Sequence, residues 1–347
     1  MSGPRRGRVS LGAVVAVLLL AAAFATTRAF PDGKGHVPND EGRILNKHRT
    51  YGSSVAWPQQ GQGALALGNE LPAASPQEQP VPIASLAKVM TAYLTLERYP
   101  LSGPQDGFTL TVSPAEAQAD AADAAQDQSD VAVQAGEQLT ELQLLEALLV
   151  PSGNNIARML ASRVAGTESR FLAEMNAEAR ALGMDHTIYT DPSGFDPSTM
   201  STAGDQLRVF QHATRFPVFR RIVSMASVTL PVAGTLSNFD PLIAAGYAGK
   251  TGSDSAAGGC LAFFTQVTVG GRSQTASGVV LGQGQGSDTS ALLASAAAAA
   301  EQLVNSVAPA LTVGASPTPD TTDGRRRDAR SHRRPLLLAP GRAPAQP

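Results

Sequence analysis

The sequence has almost no material for covalent cross-links. Its 347 residues include one cysteine, Cys260, so no disulfide can form within the chain. Aromatic residues make up 5% and charged residues 16%, whereas hydrophobic residues reach 43%. That balance is typical of a globular domain and not of a disordered chain. The fold must therefore be stabilised by the packing of aliphatic and small side chains.

Lysine is scarce in a chain that is rich in arginine. There are 23 arginines and 4 lysines, and beyond residue 47 the only lysines are Lys88 and Lys250. Arginine keeps its proton in proteins, whereas a lysine can lose its proton when it is buried. We interpret these two lysines as positions where an amine is needed and a plain positive charge is not enough.

Several common catalytic motifs are missing. The sequence has no G-x-S-x-G, no H-E-x-x-H and no phosphate-binding P-loop, and its five histidines are scattered. The glycine-rich string at 282–286 lacks the lysine of a P-loop, and we interpret it as a turn after a strand. We therefore expect no metal and no cofactor.

Charge is distributed in three blocks. Residues 1–28 carry four arginines and no acid, and residues 312–347 carry seven arginines against three aspartates. The formal net charge is −2, which leaves residues 29–311 at about −10. An acidic domain argues against nucleic acid as a partner.

The N-terminus has the pattern of an export signal. Arginines occupy three of the first eight positions, an apolar run extends from Val9 to Ala25, and residues 23–25 form an A-x-A-like site. We predict that residues 1–28 are a signal peptide or an N-terminal membrane anchor, followed by a linker at 29–50. The sequence leaves cleavage and anchoring as open alternatives. Either would place the domain in the extracytoplasmic cell envelope.

The remaining pattern predicts one domain at 51–311, followed by a disordered basic tail at 312–347. Strands are expected early and late in this domain, and helices in the middle and at the end. The expected strands are 55–57, 64–67 and a hairpin within 260–282. One helix is expected to begin at Ser85, and four others are expected to cover 137–150, 155–164, 169–182 and 289–307. This order predicts an α+β fold with an antiparallel sheet built from both chain ends, flanked by helices, and a helical subdomain.

A serine and a lysine stand three residues apart in an apolar helical segment, "ASLAKVMTAYLTLE" at 84–97. Ser85 and Lys88 share a helix face, so the amine can reach the hydroxyl. A serine is a weak nucleophile until a neighbouring base takes its proton. Lysine can be that base only when it is neutral, which burial and a second nearby cation favour. We predict that Ser85 is a nucleophile, Lys88 its base, and Lys250 the second cation.

Two further strings follow at long intervals. Ser152-Gly153-Asn154 begins 67 residues after Ser85, and Lys250-Thr251-Gly252 begins 98 residues after Ser152. The ordered set S-x-x-K, S-x-N and K-T-G is the signature of penicillin-binding proteins and class A β-lactamases.

The chain resembles the D-alanyl-D-alanine carboxypeptidases, which are low-molecular-weight penicillin-binding proteins. The resemblance covers roughly residues 50–310 and includes the segments around the three motifs, "IASLAKVMTAYLTLE", "LLEALLVPSGNNIA", "MNAEARALGM…TDPSGF" and "GKTGSDSAAGGCLAF". It implies a β-lactamase/transpeptidase-like fold and a serine peptidase that trims peptidoglycan.

The resemblance also implies roles for the other motif residues. Ser152 relays a proton to the leaving amine, and Asn154 holds the substrate backbone and Lys88. Lys250 and Thr251 engage the terminal carboxylate of a stem peptide that ends in D-alanyl-D-alanine.

The resemblance implies two further roles, which concern how the substrate is held beside the third motif. Gly252 lets the substrate lie against the strand, where a side chain would collide. The backbone N–H groups of Ser85 and Ser253 form an oxyanion hole.

Three alternatives stay open at this point. A class A β-lactamase is disfavoured because Gly153 replaces the aspartate of its second motif, and neither Glu168 nor Glu174 lies in an E-x-x-L-N-like string. A D,D-endopeptidase of the same superfamily would carry the same motifs. A non-catalytic penicillin-binding wall protein is disfavoured because all three motifs are intact. The expected partners are D-Ala-D-Ala stem peptides and β-lactams, with membrane contact only through the N-terminal segment.

Overall fold

The computed structural model describes residues 55–68, 72–102, 106–124, 129–269 and 271–308. The predicted export segment at 1–28, the linker at 29–50 and the basic tail at 312–347 lie outside these residues. Within the described part of the chain, no helix is both long enough and apolar enough to cross a membrane.

An antiparallel sheet of five strands forms the frame of the domain. Its strands are β1 (Gln62–Leu67), β2 (Ala73–Ala74), β9 (Ala248–Asp254), β10 (Gly258–Val269) and β11 (Arg272–Gln283). They lie in the order β2-β1-β11-β10-β9, so strands from both ends of the domain are neighbours, as the sequence predicted. Three small two-stranded ladders lie outside this sheet: β3 (Val81–Pro82) with β6 (Met200–Ser201), β4 (Thr109–Thr111) with β5 (Gln138–Thr140), and β7 (Ser227–Leu230) with β8 (Gly234–Ser237).

The described residues form eight α-helices, most of them between the early and late strands. They are α1 (Ala87–Arg98), α2 (Pro114–Ala124), α3 (Glu141–Leu149), α4 (Asn154–Ala165), α5 (Glu168–Ala181), α6 (Ala203–Ala213), α7 (Pro217–Val223) and α8 (Thr289–Val307). Side-chain caps mark several starts: Thr140, Thr167, Thr202 and Asp288 each accept a backbone N–H of the helix that follows. These hydroxyl and carboxylate oxygens satisfy donors that the first helical turn leaves free.

The sheet is buried on both faces, which explains its nearly continuous apolar strands. In β1, Ala64 and Ala66 join the core shared with the central helices, whereas Leu65 and Leu67 join a second core against α8. Side chains on a strand alternate between faces, so each strand must supply apolar residues at successive positions. The sheet thus separates the helical part, which carries α1, from the last helix.

Some elements differ from the sequence-based expectation. Residues 55–57 form no strand, and the predicted helix at 137–150 begins only at Glu141. Thr140 and Gln143 form a capping box, and the residues before it pair with β4 instead of continuing the helix. Helices α6 and α7 were not predicted, although Thr202 and Pro217 are ordinary helix-start residues.

The sheet and α8 approach so closely that only glycine fits at one point. A β-carbon added at Gly259 would overlap the Leu292 carbonyl oxygen of α8. We expect Gly259→Ala to lower the free energy of unfolding by about 1–3 kcal/mol, because either backbone must move. A urea titration measures this.

Gly204→Ala is the matched control. Its added β-carbon would meet Glu78 Oε2 at 2.9 Å, at the end of a side chain that can move. Alanine is also the better helix former, so we expect a change below about 1 kcal/mol. Equal losses in the two variants would show that the Gly259 contact is not a close backbone approach.

Candidate active site

Ser85 lies in a single 3-10 turn, Ala84–Leu86, that leads directly into α1. The preceding residue, Ala84, has a φ of 45°, a left-handed conformation that is unfavourable for a residue with a β-carbon. Backbone strain of this kind is concentrated at functional sites, where the surrounding structure holds it in place. The strained turn presents the Ser85 hydroxyl next to the first turn of α1.

Lys88 is fully buried at 0% exposure, and its amine has three close partners. Its Nζ lies 2.8 Å from Ser85 Oγ, 2.6 Å from Asn154 Oδ1 and 3.0 Å from the Ser193 carbonyl oxygen. The amide oxygen and the carbonyl can only accept hydrogen bonds. A neutral amine would donate its two N–H groups to them and turn its lone pair towards the Ser85 O–H.

The electrostatic environment favours that neutral form. Burial lowers the pKa of the Lys88 amine well below its ordinary value, and the positive charge of Lys250 lowers it further. Asp191 and Asp130 oppose this shift of the pKa, and Arg158 adds to it. The short distance to Ser85 Oγ and the lowered pKa are the two features that a general base at Lys88 requires.

The second motif occupies the tight loop between α3 and α4. Ser152 has a φ of 66°, and its hydroxyl oxygen accepts a hydrogen bond of 2.9 Å from Lys250 Nζ. Asn154 is the first residue of α4, and its backbone N–H donates to the Ser129 carbonyl oxygen at 2.7 Å. Gly153 lies between these two residues and has little room for a side chain, because an added β-carbon would lie 2.8 Å from Ile156 Cγ1.

The third motif lies on the edge strand β9. Lys250 is 1% exposed, and its Nζ also donates to the Thr251 carbonyl oxygen at 2.8 Å. Burial lowers the pKa of the Lys250 amine to about 7, while the nearby Asp240 carboxylate acts in the opposite direction. Lys250 therefore changes its charge close to neutral pH.

Gly252 brings β9 against the nucleophile turn. An added β-carbon would lie 3.0 Å from the Ile83 carbonyl oxygen and 3.0 Å from the Ser85 nitrogen. The resemblance explained this glycine by space for a substrate, and the structure adds a second reason, the close approach of two backbones. Ser253 follows Gly252 on β9 and is half-buried.

Hydrogen bonds between side chains join five of the eight residues singled out from the sequence, in two groups: Lys88 with Ser85 and Asn154, and Lys250 with Ser152. The other three, Thr251, Gly252 and Ser253, continue β9 beside the Ser85 turn. Sequence reasoning included the "TDPSGF" segment in the resemblance but gave no role to the Ser193 carbonyl oxygen in this loop. An available signal was the "DPSG" string, because an aspartate followed by serine and glycine favours an Asx-type turn.

The arrangement suits acyl transfer. It combines a hydroxyl, an adjacent amine with a lowered pKa, a second hydroxyl–amine pair and the edge strand β9. In the part of the chain that the structure describes, no three His, Cys, Asp or Glu side chains are grouped as metal ligands would be.

The sequence of this chain is similar to that of known D-alanyl-D-alanine peptidases. The model of a family described as D-alanyl-D-alanine carboxypeptidase matches residues 69–284. A D-alanyl-D-alanine carboxypeptidase of Mycobacterium tuberculosis is 37% identical over 153 residues, 43% of this chain and 48% of that protein. A D-alanyl-D-alanine endopeptidase of Pseudomonas aeruginosa is 31% identical over 144 residues, 40% of this chain and 41% of that protein.

The fold is that of the Streptomyces K15 DD-transpeptidase, whose crystal structure superposes with a TM-score of 0.60 at 24% identity and covers 73% of this chain and 98% of that one. This likeness confirms the predicted α+β fold. The chain spans less than half the length of these two curated relatives from Mycobacterium tuberculosis and Pseudomonas aeruginosa. The family match covers more than half of the chain and contains all three motifs. The chain therefore belongs to the D-alanyl-D-alanine carboxypeptidase family.

Proposed function

We propose that this protein is a serine-type D-alanyl-D-alanine carboxypeptidase, which removes the terminal D-Ala of peptidoglycan stem peptides through an acyl-enzyme on Ser85. One observation carries the proposal. The buried Lys88 amine lies 2.8 Å from Ser85 Oγ, with its other two partners able only to accept hydrogen bonds. A base in this state and position activates a serine for attack on a carbonyl carbon.

Acylation then proceeds in two steps. Ser85 Oγ attacks the carbonyl carbon of the scissile bond while its proton passes to Lys88 Nζ. The tetrahedral intermediate collapses with cleavage of its C–N bond and expels D-Ala; Ser152 gives its hydroxyl proton to the leaving nitrogen and takes back the proton held by Lys88, which is neutral again. Water hydrolyses the remaining ester and regenerates the serine.

The close approach of Gly252 to the Ser85 turn supports an oxyanion hole at this position. The proposed donors are the backbone N–H groups of Ser85 and Ser253, on opposite sides of the contact. Fixed N–H dipoles stabilise the developing oxyanion without reorganisation during the reaction.

Lys250 and Thr251 are the proposed recognition elements for the C-terminal carboxylate. A charged Lys250 has three N–H donors, of which Ser152 Oγ and the Thr251 carbonyl oxygen take two. The third donor and the positive charge remain for an anionic substrate. Asn154, besides contacting Lys88, is the proposed holder of the substrate backbone.

The sequence supports further proposals about the setting of this activity. The pattern of residues 1–28 supports export to the cell envelope, with a catalytic domain at 51–311 between the linker and the basic tail. The motif set also supports covalent binding of β-lactams, which acylate the nucleophilic serine of penicillin-binding proteins.

A D,D-endopeptidase activity is the second candidate, because the relative from Pseudomonas aeruginosa is described as an endopeptidase. Two substrates separate the candidates: a linear peptide ending in D-alanyl-D-alanine and a cross-linked dimer of stem peptides. We expect D-Ala release from the linear peptide to be the faster reaction. Preferential cleavage of the dimer would favour the endopeptidase.

The nucleophile can be identified by its adduct with penicillin. We expect the intact mass to increase by one penicillin molecule, peptide mapping to place the adduct on Ser85, and its release to be slow. Ser85→Ala should form no adduct, whereas Ser152→Ala should form the same adduct more slowly. An adduct on another serine, or rapid turnover of penicillin, would contradict the carboxypeptidase proposal.

Lys88→Arg tests the base. A guanidinium cannot give up its proton near neutral pH, so we expect acylation to slow by about 10²–10⁴-fold, the usual effect of losing a general base. Stopped-flow measurement with a chromogenic β-lactam reports the rate, and circular dichroism with a melting curve checks the fold. Lys88→Met, which keeps the chain length without the amine, should lose acylation to a similar extent. A folded Arg variant with wild-type acylation would refute the role of Lys88.

The charge of Lys250 should appear in the pH dependence of substrate selection. Its pKa of about 7 means that the attractive ammonium is present below this pH and is lost as the pH rises through it. We expect kcat/KM for an acid-terminated peptide, divided by that for its amidated analogue, to fall as the pH rises through about 7. Lys250→Arg should keep the ratio constant because arginine does not titrate there. The same pH dependence in both proteins would contradict carboxylate recognition by Lys250.

A further inference from the structure

The loop at 191–199 is built around a single carboxylate. Asp191 accepts hydrogen bonds from six donors, four backbone N–H groups and two hydroxyls, at 2.6 to 3.2 Å. The donors are the N–H groups of Ser193, Gly194, Phe195 and Asp196 and the hydroxyls of Ser193 and Thr199. Two carboxylate oxygens have about four lone pairs, so this group is saturated as an acceptor.

The hydrogen bonds favour a charged Asp191. Burial alone would raise the pKa of this carboxyl, but the hydrogen bonds from Ser193, Asp196 and Gly194 outweigh burial and hold the pKa below its ordinary value. Turning four consecutive backbone N–H groups towards one anion fixes the backbone between them. The carbonyl groups of the same peptide units are thereby fixed as well.

Two of these carbonyls hold the nucleophile helix. The Ser193 carbonyl oxygen accepts from Lys88 Nζ at 3.0 Å, and the Pro192 carbonyl oxygen accepts from Thr91 Oγ1 at 2.7 Å. Thr91 is fully buried and lies almost one turn after Lys88 on α1. The loop therefore contacts α1 at two successive positions.

Gly194 adds a third contact with the nucleophile turn. It has a φ of 81°, and a β-carbon there would overlap the carbonyl oxygen of Ala84, the residue before Ser85. The loop therefore touches Lys88 and the residue before Ser85 without supplying a side chain to the reaction.

We propose that Asp191 is a positioning residue for the general base: by fixing the 191–199 loop, it holds the Ser193 carbonyl oxygen where it orients the amine of Lys88 towards Ser85. The proposal rests on the proposed function, in which Lys88 is the base. Of the three partners of this amine, Ser193 alone lies in a loop outside the motifs. If the Ser193 carbonyl oxygen moves, one N–H group of the Lys88 amine loses its acceptor. The lone pair of that amine is then no longer directed at the Ser85 hydroxyl.

The test variant is Asp191→Asn in the full chain, which keeps the shape but replaces one acceptor oxygen by an N–H donor. We expect β-lactam acylation to slow at least tenfold. The acid limb of the pH profile of acylation should move to lower pH. The variant lacks the negative charge of Asp191 and holds the Ser193 carbonyl oxygen less firmly, and both groups stabilise protonated Lys88. The other charged groups that act on Lys88, namely Lys250, Asp130 and Arg158, are unchanged in this variant.

A second measurement needs no substrate. The chain has only 4 lysines, so ¹³C-labelled lysine gives few NMR signals, and the signal lost in Lys88→Arg identifies Lys88. We expect its titration midpoint to be lower in Asp191→Asn than in the wild type. If the wild type forms no adduct on Ser85, the proposed function fails, whereas this titration still tests the link between Asp191 and Lys88.

Asp196→Asn is the matched control. It removes the same charge from the same loop, but its side chain is exposed and accepts only from the Ser198 N–H at 2.8 Å. We expect it to leave the acylation rate and the Lys88 titration unchanged. An equal effect of the two asparagine variants would overturn the proposal. So would a folded Asp191→Asn protein with wild-type acylation, or one whose rate falls without a change in the Lys88 titration.

Thr91→Val provides the test if Asp191→Asn does not fold. It keeps the Asp191 charge and the side-chain shape but removes the hydrogen bond to the Pro192 carbonyl oxygen. We expect slower acylation and a shifted Lys88 titration. A folded Thr91→Val protein that matches the wild type in both measurements would overturn the proposal.

Discussion

The active site depends on keeping an amine uncharged in the protein interior. Transferring an ammonium out of water is costly, so a buried lysine without a carboxylate partner releases its proton. Among the residues that the structure describes, the hydrogen-bond partners of Lys88 are a hydroxyl, an amide oxygen and a carbonyl, and none is a carboxylate. Each of these three groups comes from a different segment of the chain. The fold is thus required to bring three segments to one nitrogen within hydrogen-bonding distance.

The architecture meets that requirement by placing rigid elements around α1. The sheet packs against one side of the central core, and its edge strand β9 approaches the Ser85 turn through Gly252. Helix α4 starts at Asn154, so its first side chain projects from a fixed position next to Lys88. The loop at 191–199 has no regular secondary structure, and the carboxylate of Asp191 supplies the rigidity that a helix or strand would otherwise give.

The two lysine–serine pairs differ in their electrostatics, although both amines are buried. Lys250 has the Asp240 carboxylate nearby and a pKa of about 7, whereas Lys88 has Lys250 itself as a neighbouring cation. The neighbouring ammonium therefore favours the neutral form of Lys88, whereas the neighbouring carboxylate favours the charged form of Lys250. This difference matches the separate roles proposed for them, a base at Ser85 and a cationic recognition group at Ser152.

The sequence by itself determined what depends on short-range spacing and on strand alternation: the Ser85–Lys88 pair, the β10–β11 hairpin, the final helix and the sheet formed by both ends of the domain. Three-residue spacing on a helix fixes a distance without any knowledge of the rest of the chain. The resemblance already implied that Asn154, 66 residues away, contacts Lys88, whereas only the tertiary structure decided that Ser193, 105 residues away, is the third partner. The burial of Lys250 and the hydrogen bonds that Asp191 accepts were likewise decided by the tertiary structure. Their contacts follow from how helices, strand and loop pack together, and no local pattern in the sequence encodes those long-range distances.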